Sequence, residues 1–174
     1  GHVKGAFTDA KSDRVGRFQT ASKGTLFLDE IGNIPLQVQQ KLLTAIERRE
    51  IVPVGSNKVI PVDIRLICAT NINLEEKVRN NNFREDLLYR INTILIKLPA
   101  LRERDDDIFK LAEFFLNKNV YKYKKPDISF SKDAKRALKN YSWPGNVREL
   151  EHVVEKSVIL CQGKIITTND LGIS

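Results

Sequence analysis

Short apolar runs alternate with amphipathic segments along the first hundred residues. Each run is a few residues long and is followed by polar side chains or a proline, which is typical of buried parallel strands. Three runs have this form: residues 25–28, 64–69 and 93–98. Because segments with helical spacing lie between them, the pattern predicts an α/β fold with a parallel sheet. Three strands make only part of such a sheet.

The segments between the runs predict helices and one hairpin. Pro35 opens a helix whose apolar face comprises Val38, Leu42, Ala45 and Ile46. Two shorter helices are predicted near residues 74–79 and 83–89. Residues 51–54 and 59–62 flank a polar turn, and each stretch contains a proline. Since proline cannot donate to a strand ladder, these stretches predict an edge or a protruding hairpin.

Beyond residue 100 the pattern becomes helical. The first predicted helix follows three acids, Asp105, Asp106 and Asp107, which favour a helix N-terminus. Its apolar stripe comprises Ile108, Leu111, Ala112, Phe115 and Leu116. A second helix has Ser131 as its N-cap, with Ala134, Leu138 and Tyr141 on its apolar face. The domain prediction is therefore an α/β part over residues 1–100 and a small all-helical part over residues 101–174.

The third C-terminal helix covers about residues 146–161. Its inward positions are Val147, Leu150, Val154, Ser157 and Cys161. Asn146 and Glu149 resemble a capping box at its start, and Gly163 is the predicted C-cap. Trp143, just before this helix, is predicted to pack into the core of the helical part.

Composition limits the class of protein. No apolar run reaches the roughly 20 residues that a membrane-spanning helix needs, and the N-terminus lacks a hydrophobic signal-peptide core. Cys68 and Cys161 lie in apolar runs without metal-type spacing, which favours a reduced, cytoplasmic protein. These observations indicate a globular domain with no membrane partner.

A formal charge of +7 invites a nucleic-acid interpretation. The excess is spread over both parts of the chain, however, and the densest basic stretch is residues 118–125. Tyr121 and Tyr123 interleave with lysines there, an arrangement that can stack on single strands. Because Pro126 follows immediately, the stretch is more typical of a solvated linker between two helices. We expect no direct DNA contact.

Polar pairs follow two of the predicted strands. Asp29 and Glu30 follow the first strand, and Thr70 and Asn71 follow the second. Open parallel sheets bind ligands at the carboxyl ends of their strands, where two carboxylates suit Mg²⁺-nucleotide chemistry. Each pair also has a simpler explanation, since strands often end in acids and Asn71 can be a helix N-cap.

Three further groups are candidates for contacts with phosphate or protein. Arg84 and Arg90 flank a short helix, where each is either paired with Glu85 or Asp86 or supplied to a neighbour's nucleotide as an arginine finger. Arg148 lies in the first turn of its helix, where a cation opposes the dipole, so an anionic partner is expected, either Glu149 or a phosphate.

The N-terminal loop has an aromatic residue among small ones: Gly5, Ala6, Phe7, Thr8, Asp9 and Ala10. Phe7 is either exposed for a protein contact or buried in the core, and the sequence favours neither.

Taken together and in order, these segments resemble the central AAA+ ATPase domain of bacterial sigma-54-dependent transcription activators, the NtrC-like enhancer-binding proteins. The resemblance extends over essentially all of the chain. The matching strings are GHVKGAFTDA, GTLFLDEIGNIPLQVQQKLL, VDIRLICATN, FREDLLYRIN, LPALRERDDDI and WPGNVRELEHVVE. The implied fold is a partial parallel-sheet AAA+ core followed by a helical lid.

The resemblance implies a role for each candidate residue. Asp29 would position Mg²⁺ and Glu30 would polarise the hydrolytic water, as the acidic Walker B pair. Thr70 and Asn71 would be sensor I residues. Arg84 and Arg90 would be arginine fingers that reach the adjacent subunit of a hexameric or heptameric ring. The remaining implied contacts are Val147 and Arg148 with the nucleotide, as sensor II, and the loop Gly5, Ala6, Phe7, Thr8, Asp9 and Ala10 with sigma-54. The hairpin near residues 51–62 would be a second pore-facing loop.

Two departures from the family pattern stand out. Asp9 replaces the second glycine of the usual GAFTGA loop, which adds a carboxylate and can alter loop flexibility. No G-x-x-x-x-G-K-[ST] phosphate-binding loop occurs among the 174 residues, so we expect the chain alone neither to bind ATP tightly nor to hydrolyse it. The simplest interpretation is a C-terminal part of the ATPase domain whose parent protein uses ATP and Mg²⁺.

Two other interpretations stay open. The chain could be a non-hydrolysing regulatory module that keeps the fold and the sigma-54-binding surface without a phosphate-binding loop. It could also be another kind of AAA+ remodelling enzyme, although the loop at residues 5–8 disfavours this.

Overall fold

The computed structural model describes residues 1–104, 106–125 and 127–173, so Asp105 and Pro126 of the sequence predictions lie outside the described residues. The chain divides into two compact units, Gly1–Ile96 and Lys97–Ser174. The first unit contains helices α1 (Arg17–Thr20), α2 (Leu36–Arg48), α3 (Leu74–Arg79) and α4 (Glu85–Ile91), and strands β1 (Gly24–Leu28), β2 (Glu50–Ile51), β3 (Ile60–Pro61) and β4 (Ile64–Cys68). The second contains α5 (Asp107–Tyr123), α6 (Lys132–Asn140), α7 (Asn146–Leu160) and α8 (Thr168–Leu171), with β5 (Ser129–Phe130) and β6 (Ile165–Ile166).

Strands β1 and β4 pair in parallel, with Leu28 opposite Cys68 at their carboxyl ends. The sequence predicted both as buried parallel strands. The two strands are present, but their burial is only partial, because Phe27 is 56% exposed and Ile67 is 42% exposed. Leu26 packs inward, so one face of this two-stranded sheet is covered and the other is open.

The third predicted strand, residues 93–98, does not form. These residues are irregular, and the side chains of Ile94, Leu95, Ile96 and Leu98 are exposed. None of the strands in the described ranges, β1 and β4 included, pairs with this apolar run. A run with strand composition becomes a strand only when a neighbouring backbone can pair with it.

Helix α2 begins directly after Pro35, as predicted, and buries a stripe formed by Gln39, Leu42, Leu43 and Ala45. The prediction that Val38 faces inward is wrong, since this side chain is exposed. Gln39 takes the position one turn before Leu42 and Leu43, and Val38 lies about 100° away around the helix. The leucines pack with Ile31, Phe83 and Leu87 in the core of the first unit.

The proline-bearing hairpin is present but short. Strands β2 and β3 pair antiparallel over two residues each, Glu50 with Pro61 and Ile51 with Ile60. The flanking valines, Val52, Val54 and Val59, are exposed. The hairpin therefore protrudes rather than extending a sheet, as its prolines predicted.

The helical unit packs around a fully buried Trp143. The predicted stripe of α5 and the inward positions of α7 are confirmed, and Ser131 caps α6 by accepting a hydrogen bond from the amide of Ala134 at 3.0 Å. The short helix α8 and the two-residue parallel pairing of β5 with β6 were not predicted. The unit is thus helical apart from this pair.

Both predicted caps of α7 are wrong. The N-cap is Gly145, whose amide donates to Glu149 Oε2 at 2.8 Å, whereas Asn146 Oδ1 accepts from the amide of Leu101 at 2.9 Å. The C-cap is Cys161 rather than Gly163. Lys125 Nζ donates to the carbonyl oxygens of residues 158, 159 and 161, so the end of the helix is satisfied by a side chain.

The basic stretch 118–125 is not a linker, because α5 continues through Tyr123. Lys118 pairs with Glu151 at 2.8 Å, and Lys122 pairs with Glu155 at 2.7 Å. Two of its lysines are thus committed to α7, which leaves little support for a nucleic-acid surface. Among the helices that the structure describes, none is long and apolar enough to cross a membrane.

Candidate functional site

The two polar pairs of the sequence lie side by side. Backbone hydrogen bonding continues past the paired strands, because the Ala69 amide donates to the Leu28 carbonyl at 2.9 Å and the Ile31 amide donates to the Ala69 carbonyl at 3.0 Å. The pair Asp29-Glu30 and the pair Thr70-Asn71 therefore leave the same sheet edge at adjacent positions. All four residues are exposed.

Glu30 is held in an unusual conformation. Its backbone is left-handed, with φ 52°, and its amide donates to Asp29 Oδ1 at 3.0 Å. Its Oε2 atom accepts from Asn33 Nδ2 at 3.1 Å. A non-glycine residue in this region has a local energetic cost, which the surrounding structure must offset. The two carboxylates thus diverge, Asp29 towards its own backbone turn and Glu30 towards Asn33.

Thr70 closes a local turn by accepting a hydrogen bond from the amide of Ile72 at 3.1 Å. The backbone of Gly32 approaches it closely, since a Cβ at that position would lie 2.8 Å from Thr70 Oγ1. The alternative role of Asn71 as a helix N-cap is wrong, because Asn73 caps α3 by accepting from the Glu76 amide at 3.0 Å. Asn71 is therefore not used to cap this helix.

Arg84 is the N-cap residue of α4, and its guanidinium is paired within its own chain. Nε donates to Asp86 Oδ1 at 3.0 Å and Nη2 donates to Asp86 Oδ2 at 2.7 Å, a bidentate geometry. These hydrogen bonds lower the pKa of the Asp86 carboxyl and raise the pKa of Arg84. Of the two partners weighed from the sequence, Asp86 rather than Glu85 is the one used.

Arg90 lies in the last turn of α4, is exposed, and takes part in no ion pair among the described residues. The two arginines therefore differ. Arg84 is paired with Asp86, whereas Arg90 is exposed in the last turn of α4.

The loop at residues 5–10 forms a small closed structure. The Gly5 amide donates to the Ala10 carbonyl at 2.8 Å, and the Ala10 amide donates to the Phe7 carbonyl at 2.9 Å. Thr8 and Asp9 are the central residues of this last turn. Phe7 is 51% exposed and packs edge to face on His2, with ring centroids 4.8 Å apart. The exposed alternative for Phe7 is thus the correct one.

Asp9 fits this turn without strain. Positive φ occurs at Gly5 in the loop, at 79°, but not at Asp9. A glycine is required only where the backbone needs positive φ or a close approach. Asp9 therefore needs no left-handed backbone in this turn, and it adds one exposed carboxylate at the tip.

The loop is also joined to the proline-bearing hairpin. The Val3 amide donates to the Val54 carbonyl at 3.0 Å, and the Val54 amide donates to the Gly1 carbonyl at 3.0 Å. At the hairpin turn, Gly55 has φ 79°, and a Cβ there would lie 2.6 Å from the Ala6 side chain. The base of the loop is closed by reciprocal backbone bonds between His2 and Arg14. The two segments thus form one surface feature.

In the helical unit, Val147 and Arg148 lie in the first turn of α7. Arg148 is exposed and makes no ion pair within the described part of the chain. Its neighbour Glu149 is not its partner, because that carboxylate accepts from the Gly145 amide at 2.8 Å and from the Tyr141 hydroxyl at 3.1 Å. Glu149 also raises the pKa of Tyr141.

The residues present fit part of a nucleotide-hydrolysis site. Carboxylate oxygens such as those of Asp29 and Glu30 are ligands suited to Mg²⁺. Residues 1–104, 106–125 and 127–173 contain no group of three potential metal ligands, and the 174 residues contain no glycine-rich phosphate loop. A metal here would need water and phosphate oxygens to complete its shell. Burial raises the pKa of the Cys68 thiol, which keeps it protonated near the sheet end.

The sequence analysis did not identify Gln39 and Asn33, which contact candidate site residues. A signal for Gln39 was available, since it is a polar residue at helical spacing from the buried Leu42 and Leu43. A local signal for Asn33 was also available, since it lies three residues after Glu30.

Known proteins resemble the chain along its whole length. The transcriptional regulatory protein AlgB of alginate biosynthesis in Pseudomonas syringae is 49% identical over 174 residues, which are 100% of this chain and 39% of AlgB. ZraR of Salmonella typhimurium is 47% identical over the same length, 40% of that protein. The formate hydrogenlyase activator FhlA of Escherichia coli is 47% identical over 166 residues, 95% of this chain and 24% of FhlA. The chain thus spans about two-fifths or less of these relatives.

Solved structures of a related protein have the same fold as this chain. NtrX from Brucella abortus superposes with a TM-score of 0.88 at 33% identity, over 97% of this chain and 39% of NtrX. Its complex with ADP has a TM-score of 0.85 at 34% identity, over 91% of this chain and 37% of that one. The α/β fold class, with part of the AAA+ parallel sheet followed by a helical part, is confirmed.

Family models divide the chain in two. The model described as the sigma-54 interaction domain matches residues 1–97, and the model described as the AAA+ ATPase lid domain matches residues 102–173. Because the first match alone covers more than half of the 174 residues, the chain belongs to the sigma-54 interaction domain family of transcriptional regulators.

Proposed function

We propose that this chain serves a cytoplasmic sigma-54-dependent transcription activator in which ATP hydrolysis, in a ring of subunits, is coupled to remodelling of the sigma-54 RNA polymerase closed complex. One observation carries the proposal: Asp29-Glu30 and Thr70-Asn71 leave adjacent parallel strands at the same edge. This is the position at which open α/β sheets bind ligands.

Each candidate residue has a role in this proposal. Asp29 would hold Mg²⁺, which when bound would supply charge stabilisation for the transferred phosphoryl group. Glu30 polarises the attacking water, and its conformation, fixed by Asn33, sets the direction of its carboxylate. Thr70 and Asn71 orient that water or a terminal phosphate from the neighbouring strand.

Arginines supply the remaining positive charge. Arg90 is the better candidate for insertion into an adjacent subunit's site, because it is exposed and no ion pair in the described residues engages it. Arg84, at the start of the same helix, is the second proposed finger, and a phosphate of the neighbouring subunit would replace Asp86 as the partner of its guanidinium. Arg148 contacts the nucleotide of its own subunit, with Val147 beside it.

The loop at residues 5–10 is proposed to bind sigma-54, with Phe7 and Thr8 at its exposed tip. An exposed aromatic side chain on a closed turn is a suitable anchor for a protein interface. The hairpin that carries Val54 supports this loop through its backbone hydrogen bonds. No contact of this segment with DNA or membrane is part of the proposal.

The test uses the complete gene product and the 174-residue chain in parallel. We expect ATP turnover in the first and none in the second, which has no phosphate-binding loop. In the complete protein, Glu30→Gln and Arg90→Ala should each lower kcat by at least about 100-fold with ATP still bound, since each group acts on the transition state. Unchanged turnover in both variants would refute the assignment.

A second candidate function is a non-hydrolysing sigma-54-binding module, favoured by the same missing phosphate loop. Sigma-54 retention on the immobilised complete protein, with and without a transition-state analogue of ATP, separates the two. Analogue-dependent retention that Phe7→Ala abolishes supports the ATPase. Nucleotide-independent retention, with no turnover, supports the module.

A further inference from the structure

Gln39 is a polar side chain with no exposed surface, at the N-terminal end of the buried face of α2. Burial of an amide is costly unless its hydrogen bonds are made. All the hydrogen bonds of the Gln39 side chain go to backbone groups outside its own helix. Nε2 donates to the Ile34 carbonyl at 2.9 Å and to the Asn82 carbonyl at 3.1 Å, and Oε1 accepts from the Arg84 amide at 2.8 Å.

These three bonds join the two segments that carry the candidate chemistry. Ile34 ends the short stretch that leaves β1 with Glu30 and contains Asn33. Asn82 and Arg84 lie on either side of the buried Phe83 and form the entry to α4. One side chain therefore connects the segment after the acidic pair to the segment that begins the arginine-bearing helix.

We propose that Gln39 is a positioning residue that sets the start of α4, and with it the placement of Arg84 and Arg90, relative to the acidic strand end. This inference rests on the proposed function, in which the arginines serve a neighbouring subunit's nucleotide. The hydrogen bond to the Arg84 amide sets where α4 begins, because Arg84 is the N-cap of this helix. The Arg84 guanidinium is in turn bonded to Asp86.

The site selects glutamine over similar side chains. A glutamate keeps an acceptor for the Arg84 amide but presents carboxylate oxygen to the two carbonyls, which is repulsive. A methionine of similar length fills the space but makes none of the three bonds. An asparagine is shorter by one methylene and cannot reach partners on both sides. Gln39→Met therefore removes the connection while keeping the volume.

The contact is tested first in the 174-residue chain by amide hydrogen exchange. We expect the Arg84 amide to exchange at least about tenfold faster in Gln39→Met than in the parent chain, because its only acceptor in the described structure is Gln39 Oε1. The matched control is Gln40→Met, the same substitution on the exposed face of α2. Equal exchange of the Arg84 amide in all three chains would overturn the proposal.

Kinetics in the complete gene product test the positioning role. We expect Gln39→Met to lower kcat by about tenfold or more while KM for ATP changes by less than about twofold, since a small misplacement of a charged group affects the transition state most. Leu43→Ala, a buried change in the same cluster, controls for lost stability alone. An equal fall in kcat in Leu43→Ala would show that the effect is merely structural.

Rings that contain two kinds of variant subunit show whether Gln39→Met impairs a subunit's own site or the arginines that it supplies to its neighbour. Glu30→Gln subunits hydrolyse no ATP but keep their arginines, so they should restore turnover at the sites of Gln39→Met subunits. Arg84→Ala and Arg90→Ala subunits provide the benchmark. Rescue of an arginine variant but not of Gln39→Met would overturn the inference, whereas failure to observe any arginine dependence would instead refute the proposed function. If Gln39→Met subunits do not assemble into rings, Gln39→Asn subunits replace them in the mixing experiment. The exchange rate of the Arg84 amide in the 174-residue chain then tests the contact itself.

Discussion

Replacement of Trp143 by phenylalanine should destabilise the helical unit by about 2–4 kcal/mol. The Trp143 side chain has no exposed surface, and its indole N–H donates to the Leu138 carbonyl at 2.8 Å. Leu138 lies in the last turn of α6, which ends at Asn140, so this carbonyl lacks a partner within the helix. Phenylalanine removes the donor and leaves a buried acceptor unsatisfied.

The magnitude has two parts. An unsatisfied buried acceptor costs about 1–3 kcal/mol, and the space left by the smaller ring adds about 1 kcal/mol if the site collapses only partly. The contact with the Tyr141 ring, whose centroid lies 5.0 Å away, is largely retained by a second aromatic ring. Trp143→Ala should cost more, since it also loses that contact.

Urea unfolding followed by far-UV circular dichroism is the appropriate assay, because Trp143 is the chain's single tryptophan and its fluorescence disappears with the substitution. The urea concentration at the midpoint of unfolding should fall, while the dependence of the unfolding free energy on urea concentration stays unchanged. Phe114→Leu, an exposed aromatic on α5, is the control and should change the free energy of unfolding by less than about 0.5 kcal/mol. A Trp143→Phe value inside that same limit would refute the reasoning.

Three other predictions concern glycine, a helix cap and an ion pair. Gly55→Ala should lower stability by about 1–2 kcal/mol or more in thermal unfolding, because φ is 79° and the added Cβ meets a neighbouring side chain; Gly163→Ala, in open space without positive φ, should not. Ser131→Ala should cost about 1 kcal/mol in urea unfolding through loss of the α6 cap. The lowered pKa of Asp86 means that its pairing stabilises the fold at neutral pH and is lost as pH falls below the ordinary carboxyl range. Carboxyl carbon NMR should show this low pKa of Asp86, and Arg84→Ala should raise that pKa, because the largest cause of its lowering is removed; an unchanged titration would contradict the pairing.

The sequence predicted what local patterns determine. Strands β1 and β4 and the polar residues after them follow from short apolar runs and their ends, and the α6 cap follows from Ser131. Residues 93–98 have the same composition, but a strand also requires a partner backbone, which composition does not show.

Contacts between distant residues account for the other differences. Asn146 looked like a capping residue, yet its side chain bonds to Leu101, 45 positions away. Gln39 bonds to Asn82 and Arg84, 43 and 45 positions away, so its role appears only once the fold brings these segments together. Lys118 and Lys122 looked like free charge until α7 placed glutamates beside them.

The joined loop and hairpin have a mechanical consequence. The Val3–Val54 and Val54–Gly1 hydrogen bonds join two extended segments, one at the base of the loop and one in the hairpin. Each segment leads into a turn of its own. Force applied along these segments loads both bonds at once, in shear, whereas force across them would break one bond after the other. A force on Phe7 along the loop is therefore transmitted to the hairpin through both hydrogen bonds together. The resistance of the joined loop and hairpin to separation thus depends on the direction of the force.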